Sequence, residues 1–184
     1  TIVDGRPNPE AIRLDASAVR RSQGRRHDRG LHGSGRRQLA TPGRIDVVDE
    51  LAARSLLPAI YFIFSRAQCD EAARQCVAAG RHLIEDHERD RVRAIADARL
   101  HGLSDADLAI LGFDQFMLQL DSGVAAHHAG MVPPFKEVVE QAFQEGLVKV
   151  VFATETLAVG VNMPARTVVI EKRAKYTGGR HGTM

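Results

Sequence analysis

The chain has 184 residues, of which 44% are apolar and 26% are charged, as in an ordinary globular domain. No apolar run approaches the roughly 20 residues of a membrane-spanning helix, and the N-terminus lacks the apolar core of a secretory signal, so no membrane partner is expected. The two cysteines, Cys69 and Cys76, are too few for a disulfide scaffold. We expect two reduced thiols and a cytoplasmic location.

The basic charge is concentrated at the N-terminus. Residues 1–40 contain nine Arg and four acidic residues, a net charge of +5, whereas residues 41–184 contain 16 basic and 19 acidic residues, a net charge of −3. The first segment is rich in Gly and poor in large apolar side chains, so it cannot bury enough surface to offset its ordering entropy. We predict a disordered or loosely attached arm over residues 1–40. It is either a nucleic-acid-binding arm that neutralises phosphates or a solvated linker.

The remaining residues, 41–184, open with a helix–strand–helix pattern. Thr41 suits an N-cap and Pro42 the first helical position. Residues 59–64 form a continuous apolar run, which is typical of a strand covered on both faces of a parallel sheet. Ser65 and Gln68 then form a capping box in front of an amphipathic helix.

Residues 81–121 carry helical signals only. The segment 81–100 predicts a long, highly charged helix, Ser104 caps a second helix, and residues 113–120 provide the apolar face of a third. We therefore predict a helical insertion between strands of the sheet.

Alternation of strand and helix then resumes. Strands are predicted over residues 123–126, 148–152 and 167–170, and a helix opens at Pro133 and Pro134. Four strands with helices between them predict an α/β fold with a mainly parallel sheet. In such sheets, functional residues lie at the carboxyl ends of the strands.

Three segments at those strand ends resemble a known family. Residues 62–66, FIFSR, resemble motif IV of superfamily 2 helicases; residues 127–131, HHAGM, resemble the HHAG segment of the Ski-type group; and residues 153–165, ATETLAVGVNMPA, resemble motif V of that group. Together they resemble the second RecA-like domain of a Ski-type DExH helicase, as in RNA-surveillance helicases and their actinobacterial relatives. The resemblance covers residues 42–172 and implies an incomplete RecA-like (P-loop NTPase type) helicase C-terminal domain.

The resemblance also implies a division of labour between two RecA-like domains that enclose ATP. The first holds the Walker A lysine and the DExH acids, and the second supplies nucleic-acid contacts and the motif VI arginines. This sequence contains no G-x-x-x-x-G-K-S/T, no DExH and no Q-x-x-G-R-x-G-R-x-G. We therefore expect a fragment without catalytic residues of its own. ATP and Mg²⁺ would both require the missing RecA-like domain as a partner.

Four residues are candidates for nucleic-acid contact by their places in motifs IV and V: Ser65, Arg66, Thr154 and Glu155. A helix N-terminus and a hydroxyl after a strand can both meet backbone phosphates without reading bases. Ser65 has the alternative role of a helix cap, and Thr154 that of a turn hydroxyl.

The other motif residues are assigned to ATP and to the cleft between domains. Gly160 and Asn162 match the positions that face the nucleotide, although both are also ordinary turn residues. His127, His128 and Gly130 are assigned to the interdomain cleft. No metal site is expected, because neighbouring strand residues point to opposite faces and no Cys or carboxylate lies at ligand spacing.

The sequence thus predicts part of an ATP-dependent RNA helicase that moves 3′ to 5′ on single-stranded RNA, as the resemblance implies. RNA is favoured over DNA because the Ski-type match is the closer one, but DNA-repair helicases share the HHAG segment. Two further alternatives stay open: a catalytically silent nucleic-acid-binding module, and an unrelated α/β enzyme of small metabolites.

Overall fold

The structure, a computed structural model, describes residues 2–3, 6–7, 42–158 and 163–171. It divides into two compact units, residues 1–47 and residues 48–184. In the first unit, β1 (Ile2–Val3) pairs antiparallel with β2 (Arg6–Pro7). The rest of the predicted arm lies outside the described residues, so its disorder stays a prediction.

The first helix begins later than the sequence predicts. The segment α1 spans Arg44–Ala53, and Pro42 precedes it in extended or irregular backbone, so the prediction of Pro42 at the first helical position is wrong. The Gly43 carbonyl accepts the first helical hydrogen bond from Val47 N at 3.1 Å, which makes Gly43 the effective start of the helix. Thr41 lies outside the described residues.

Four parallel strands form the sheet, in the order β4-β5-β3-β6. They are β3 (Ala59–Phe62), β4 (Val124–His127), β5 (Val150–Ala153) and β6 (Thr167–Ile170). The predicted α/β class with a parallel sheet is confirmed.

Helices flank this sheet. Helix α2 (Arg66–Ala78) follows β3, α6 (Pro133–Gln144) connects β4 to β5, and a 3₁₀ turn (Glu155–Ala158) follows β5. Between α2 and β4 lie α3 (Asp86–Leu100), α4 (Asp105–Ile110) and α5 (Phe113–Asp121). Among the described residues, no helix is long and apolar enough to cross a membrane.

The first helix of the 81–121 segment also begins later than predicted. Residues 81–85 are not helical, because Leu83 N donates to the Ser122 carbonyl at 3.1 Å and Glu85 has extended backbone, with φ −91° and ψ 170°. This tertiary hydrogen bond ties the chain to the end of α5 before the helix can start. The prediction of a helix from Arg81 is therefore wrong by five residues.

The core lies on both faces of the sheet, since alternate strand residues point to opposite sides. Ile60, Ala125 and Val151 share one hydrophobic cluster with buried residues of α3, α5 and α6. Helix α2 packs against β4 and β5 and buries Cys69 and Cys76, which are free thiols. Strands β3, β4 and β5 are thus largely covered on both faces, as their continuous apolar runs predict, whereas β6 exposes Val168 and Ile170.

Candidate functional site

The predicted site segments lie together at one end of the sheet, where β3, β4 and β5 have their carboxyl ends. Phe62 and His127 both align with Ala153 in the strand register. Beyond the strands, Ile63 N donates to the Ala153 carbonyl at 2.8 Å, and Thr154 N donates to the His127 carbonyl at 3.3 Å. The three motif segments therefore leave the sheet side by side.

Ser65 begins α2 as an N-cap. Its backbone is extended, with φ −153° and ψ 124°, and its Oγ accepts a hydrogen bond from Gln68 N at 3.4 Å. The Ser65 half of the predicted capping box is confirmed, and it leaves other first-turn amides of α2 without helical acceptors. Arg66 follows at the first helical position, is exposed, and has no ion pair with another described residue.

The two adjacent histidines turn to opposite helices. His127 is 5% exposed, and its Nε2 lies 2.8 Å from Oε1 of Glu140 on α6. His128 is 6% exposed, and its Nε2 lies 3.0 Å from Oδ1 of Asp70 on α2. Because the two imidazole rings point in opposite directions, they cannot bind one metal ion together. No cluster of three His, Cys, Asp or Glu side chains suited to a metal ion occurs within the described part of the chain.

The second nitrogens of the two rings differ in environment. Nδ1 of His128 accepts a hydrogen bond from the Gly130 amide at 3.1 Å. Nδ1 of His127 is buried and has no hydrogen-bond partner among the described residues. His128 therefore links helix α2 to the loop that follows β4, whereas His127 links only to α6 through Glu140.

Gly130 also lies near Arg66. A Cβ atom at Gly130 would lie 3.2 Å from Nδ1 of His128 and 3.5 Å from Cδ of Arg66. The loop after β4 thus passes close to the start of α2. Asp70, His128 and Gly130 also line a cavity of about 310 Å³, together with residues of α5.

Thr154 and Glu155 differ in exposure. Thr154 is 6% exposed, and its carbonyl accepts a hydrogen bond from Leu157 N at 3.1 Å, which closes the 3₁₀ turn. Glu155 is exposed at the start of that turn. Gly160 and Asn162, the residues assigned to ATP, lie outside the described residues.

Comparisons with known proteins identify the domain. Residues 104–178 match the helicase conserved C-terminal domain. The probable helicase HelY of Mycobacterium tuberculosis (strain CDC 1551 / Oshkosh) is 48% identical over 171 residues, which cover 93% of this chain and 18% of that protein. HelY of Mycobacterium leprae is 50% identical over 145 residues, covering 79% and 15%. The DExH-box ATP-dependent RNA helicase DExH11 of Arabidopsis thaliana is 37% identical over 142 residues, covering 77% and 10%.

The chain contains part of a DExH-type helicase C-terminal domain. The resemblance to superfamily 2 helicases and the RecA-like fold are both confirmed. The chain spans less than a fifth of the length of these relatives.

In this helicase C-terminal domain, sequence reasoning missed the two carboxylates that hold the histidines. Asp70 lies 58 residues before His128, and Glu140 lies 13 residues after His127. Asp70 adjoins the buried Cys69 on α2, but its own side chain is 39% exposed, so the sequence contains no signal that it needs a partner. Nothing in the pattern of α6 distinguishes Glu140 from its other acidic residues.

Proposed function

We propose that this domain supplies contacts to the backbone of single-stranded RNA within a longer ATP-dependent helicase. The observation that carries the proposal is the N-terminus of α2, where the Ser65 cap, the exposed Arg66 guanidinium and the loop at Gly130 lie together. Amides at a helix N-terminus and a cation without a carboxylate partner both attract phosphate oxygens. Two such groups at one end of the sheet, beside the loop at Gly130, favour a phosphate-binding surface.

Motif V is assigned a supporting role in the same surface. Glu155 is exposed, whereas the Thr154 side chain is buried. We therefore infer that Thr154 shapes the turn after β5 and that this turn, rather than the Thr154 side chain, contacts the nucleic acid. Glu155 is assigned the role of orienting neighbouring groups. Contacts of this kind reach the sugar–phosphate backbone and carry no sequence information.

RNA is the proposed substrate because the DExH-box relatives are named RNA helicases, while the HelY name specifies no nucleic acid. Binding and hydrolysis of ATP with Mg²⁺, translocation 3′ to 5′, and docking of a first RecA-like domain are proposals for the longer protein. Gly160 and Asn162 keep their assignment to the nucleotide as a prediction.

Substitution of Arg66 tests the proposed surface. Arg66→Ala should weaken binding of the chain to a fluorescein-labelled single-stranded RNA by about fivefold at low salt, since one phosphate contact is lost. The matched control is Arg74→Ala, because Arg74 lies on the same helix but is paired with Glu71 at 2.9 Å. Fluorescence anisotropy with RNA and DNA of the same sequence measures both affinities. Equal losses for the two variants would contradict the proposal, and tighter binding to DNA would favour a DNA-repair-type domain.

Substitution of Ser65 separates capping from phosphate binding. Asp is as good an N-cap as Ser, so Ser65→Asp should leave the melting temperature nearly unchanged. The added carboxylate should repel phosphate and weaken RNA binding, whereas Ser65→Ala should cost about 0.5–1 kcal/mol of stability. Unchanged RNA affinity in Ser65→Asp would restrict Ser65 to its capping role.

A further inference from the structure

The hydrogen bonds of His128 determine which ring nitrogen carries the proton. The Gly130 amide can only donate, so Nδ1 of His128 must accept and must be unprotonated. The proton of the neutral ring therefore lies on Nε2 and points at the Asp70 carboxylate, 3.0 Å away. An ionised carboxylate can only accept, so Asp70 allows this tautomer and excludes the other.

We propose that Asp70 is a positioning residue that fixes His128 as the Nε2–H tautomer and thereby holds the loop at Gly130 beside Arg66. The expected effect on RNA binding rests on the function proposed above. The expected tautomer of the His128 ring is independent of that function.

The geometry of α2 connects the two ends of this arrangement. Arg66 and Asp70 are four residues apart, so they lie one above the other on the same helix face. Asp70 anchors the His128 ring, and Nδ1 of this ring accepts a hydrogen bond from the Gly130 amide. A Cβ atom at Gly130 would lie 3.5 Å from Cδ of Arg66, so the loop passes beside the Arg66 stem. The loop thus lies along one turn of α2 and restricts the space that the Arg66 side chain can occupy.

The other histidine provides an internal comparison. His127 has the same kind of carboxylate contact, at 2.8 Å from Glu140, but its Nδ1 contacts no described donor. Glu140 therefore orients a ring without positioning a loop through it. Glu140→Gln is the matched control for Asp70→Asn, because each variant replaces a carboxylate beside a buried histidine by its amide.

Histidine side-chain NMR of the ¹⁵N-labelled full chain at pH 7.5 tests the proposal without any variant. Two-bond ¹H–¹⁵N correlations should show His128 as the pure Nε2–H tautomer. In Asp70→Asn, the amide can also donate to Nε2 and so competes with the Gly130 amide over the tautomer. A fraction of the Nδ1–H form of His128 should therefore appear, and the Gly130 amide resonance should shift. Glu140→Gln should leave the His128 signals unchanged. A His128 ring that is the Nδ1–H tautomer in the wild type, or that is unaffected by Asp70→Asn, would overturn the proposal.

RNA affinity provides the second readout. Removing a carboxylate close to bound phosphate should strengthen binding if Asp70 were only a surface charge. We expect the opposite, a loss of about fivefold in Asp70→Asn and no further loss when Asp70→Asn is added to Arg66→Ala. Tighter binding in Asp70→Asn, or additive losses in the double variant, would overturn the link to Arg66. If the His128 tautomer is as expected but Arg66→Ala binds RNA like the wild type, the Asp70–His128 link is supported and the proposed RNA surface is wrong.

Discussion

The chemistry of Cys76 is governed by burial. Both Cys69 and Cys76 are 0% exposed on the face of α2 that packs on the sheet. Burial raises the pKa of the Cys76 thiol to about 11, and the nearby Arg81 guanidinium lowers this pKa only in part. Because the thiolate is the reactive form, Cys76 is neutral and chemically inert at ordinary pH.

We predict that neither thiol is modified by iodoacetamide at pH 8 while the chain is folded. At that pH a thiol of pKa about 11 has about a thousandth of its population as thiolate, and the reagent has no path to it. Mass spectrometry after a timed reaction measures the labelled fraction. The same protein in concentrated urea is the control and should be labelled at both positions. Rapid labelling of the folded chain would mean that α2 opens readily.

Local residue roles could be predicted from sequence, whereas long-range ones could not. The caps of Ser65 and Ser104 depend on residues three positions away, so the sequence contains the whole interaction. The partner of His128 is on another element, and only the packing of α2 against β4 places Asp70 within reach. The sequence predicted that the two histidines face apart but not which carboxylates they meet.

Helix α3 is anchored at its N-terminal turn by Glu88. Its carboxylate accepts a hydrogen bond from the Glu85 amide at 2.8 Å, and it pairs with Lys149 Nζ at 2.7 Å. Lys149 directly precedes β5, so this contact joins α3 to the sheet. Burial raises the pKa of Glu88, but the hydrogen bonds from Lys149 and the Glu85 amide outweigh it and hold this pKa below its usual value of 4.5.

This depressed pKa predicts an acid-sensitive anchor. A carboxyl whose pKa is lower in the folded state stabilises the fold above its unfolded value, near 4.5 here, and this contribution is lost as the pH falls through the folded value. Glu88→Gln should therefore lower the melting temperature at pH 7 by a few degrees and reduce the fall of the melting temperature as the pH drops below about 4.5. Thermal melting followed by circular dichroism measures both.

The control for Glu88 is Asp97→Asn on the same helix. Asp97 is exposed and has no ion pair with a described residue, so its removal should leave the pH dependence of the melting temperature unchanged. A pH profile of Glu88→Gln that parallels the wild type would contradict the role of this contact.

Element types followed from sequence, while some element boundaries did not. Strands β3, β4, β5 and β6 lie within one or two residues of their predicted spans, because each is a compact apolar run. The starts of α1 and α3 were displaced by two and five residues. In α3 the cause is the Leu83–Ser122 backbone contact, which links distant parts of the chain and leaves no local pattern.

Across the whole chain, the sequence lacks the groups that phosphoryl transfer requires. It contains neither the phosphate-binding loop with its lysine nor the acids that hold Mg²⁺, and an arginine finger alone is typically worth about 10³–10⁵ in rate. We predict that the purified chain does not release phosphate from ATP, with or without RNA. The DExH-box ATP-dependent RNA helicase DExH11 of Arabidopsis thaliana, assayed under the same conditions, is the positive control. Turnover near roughly 1 s⁻¹ by the chain alone would contradict the assignment.

The edge of the described sheet exposes apolar side chains. Strand β6 pairs with β3 on one side only, and its Val168 and Ile170 are 55% and 69% exposed. The sequence predicted the strand from its apolar run but not its exposure, which depends on what pairs beside it.

We predict that the chain associates through β6 as its concentration rises, since an edge strand with an exposed apolar face is a template for pairing. Sedimentation velocity from about 5 to 200 μM should show an increasing fraction of dimer or larger species. The double variant Val168→Lys, Ile170→Lys should stay monomeric, because two cations on the edge strand repel a second copy. Leu118→Lys is the control, because Leu118 is 52% exposed but lies on α5, where no strand can pair. If Leu118→Lys suppresses association as strongly as the β6 variant, general surface apolarity causes it; if the wild type stays monomeric throughout, β6 is protected within the chain itself.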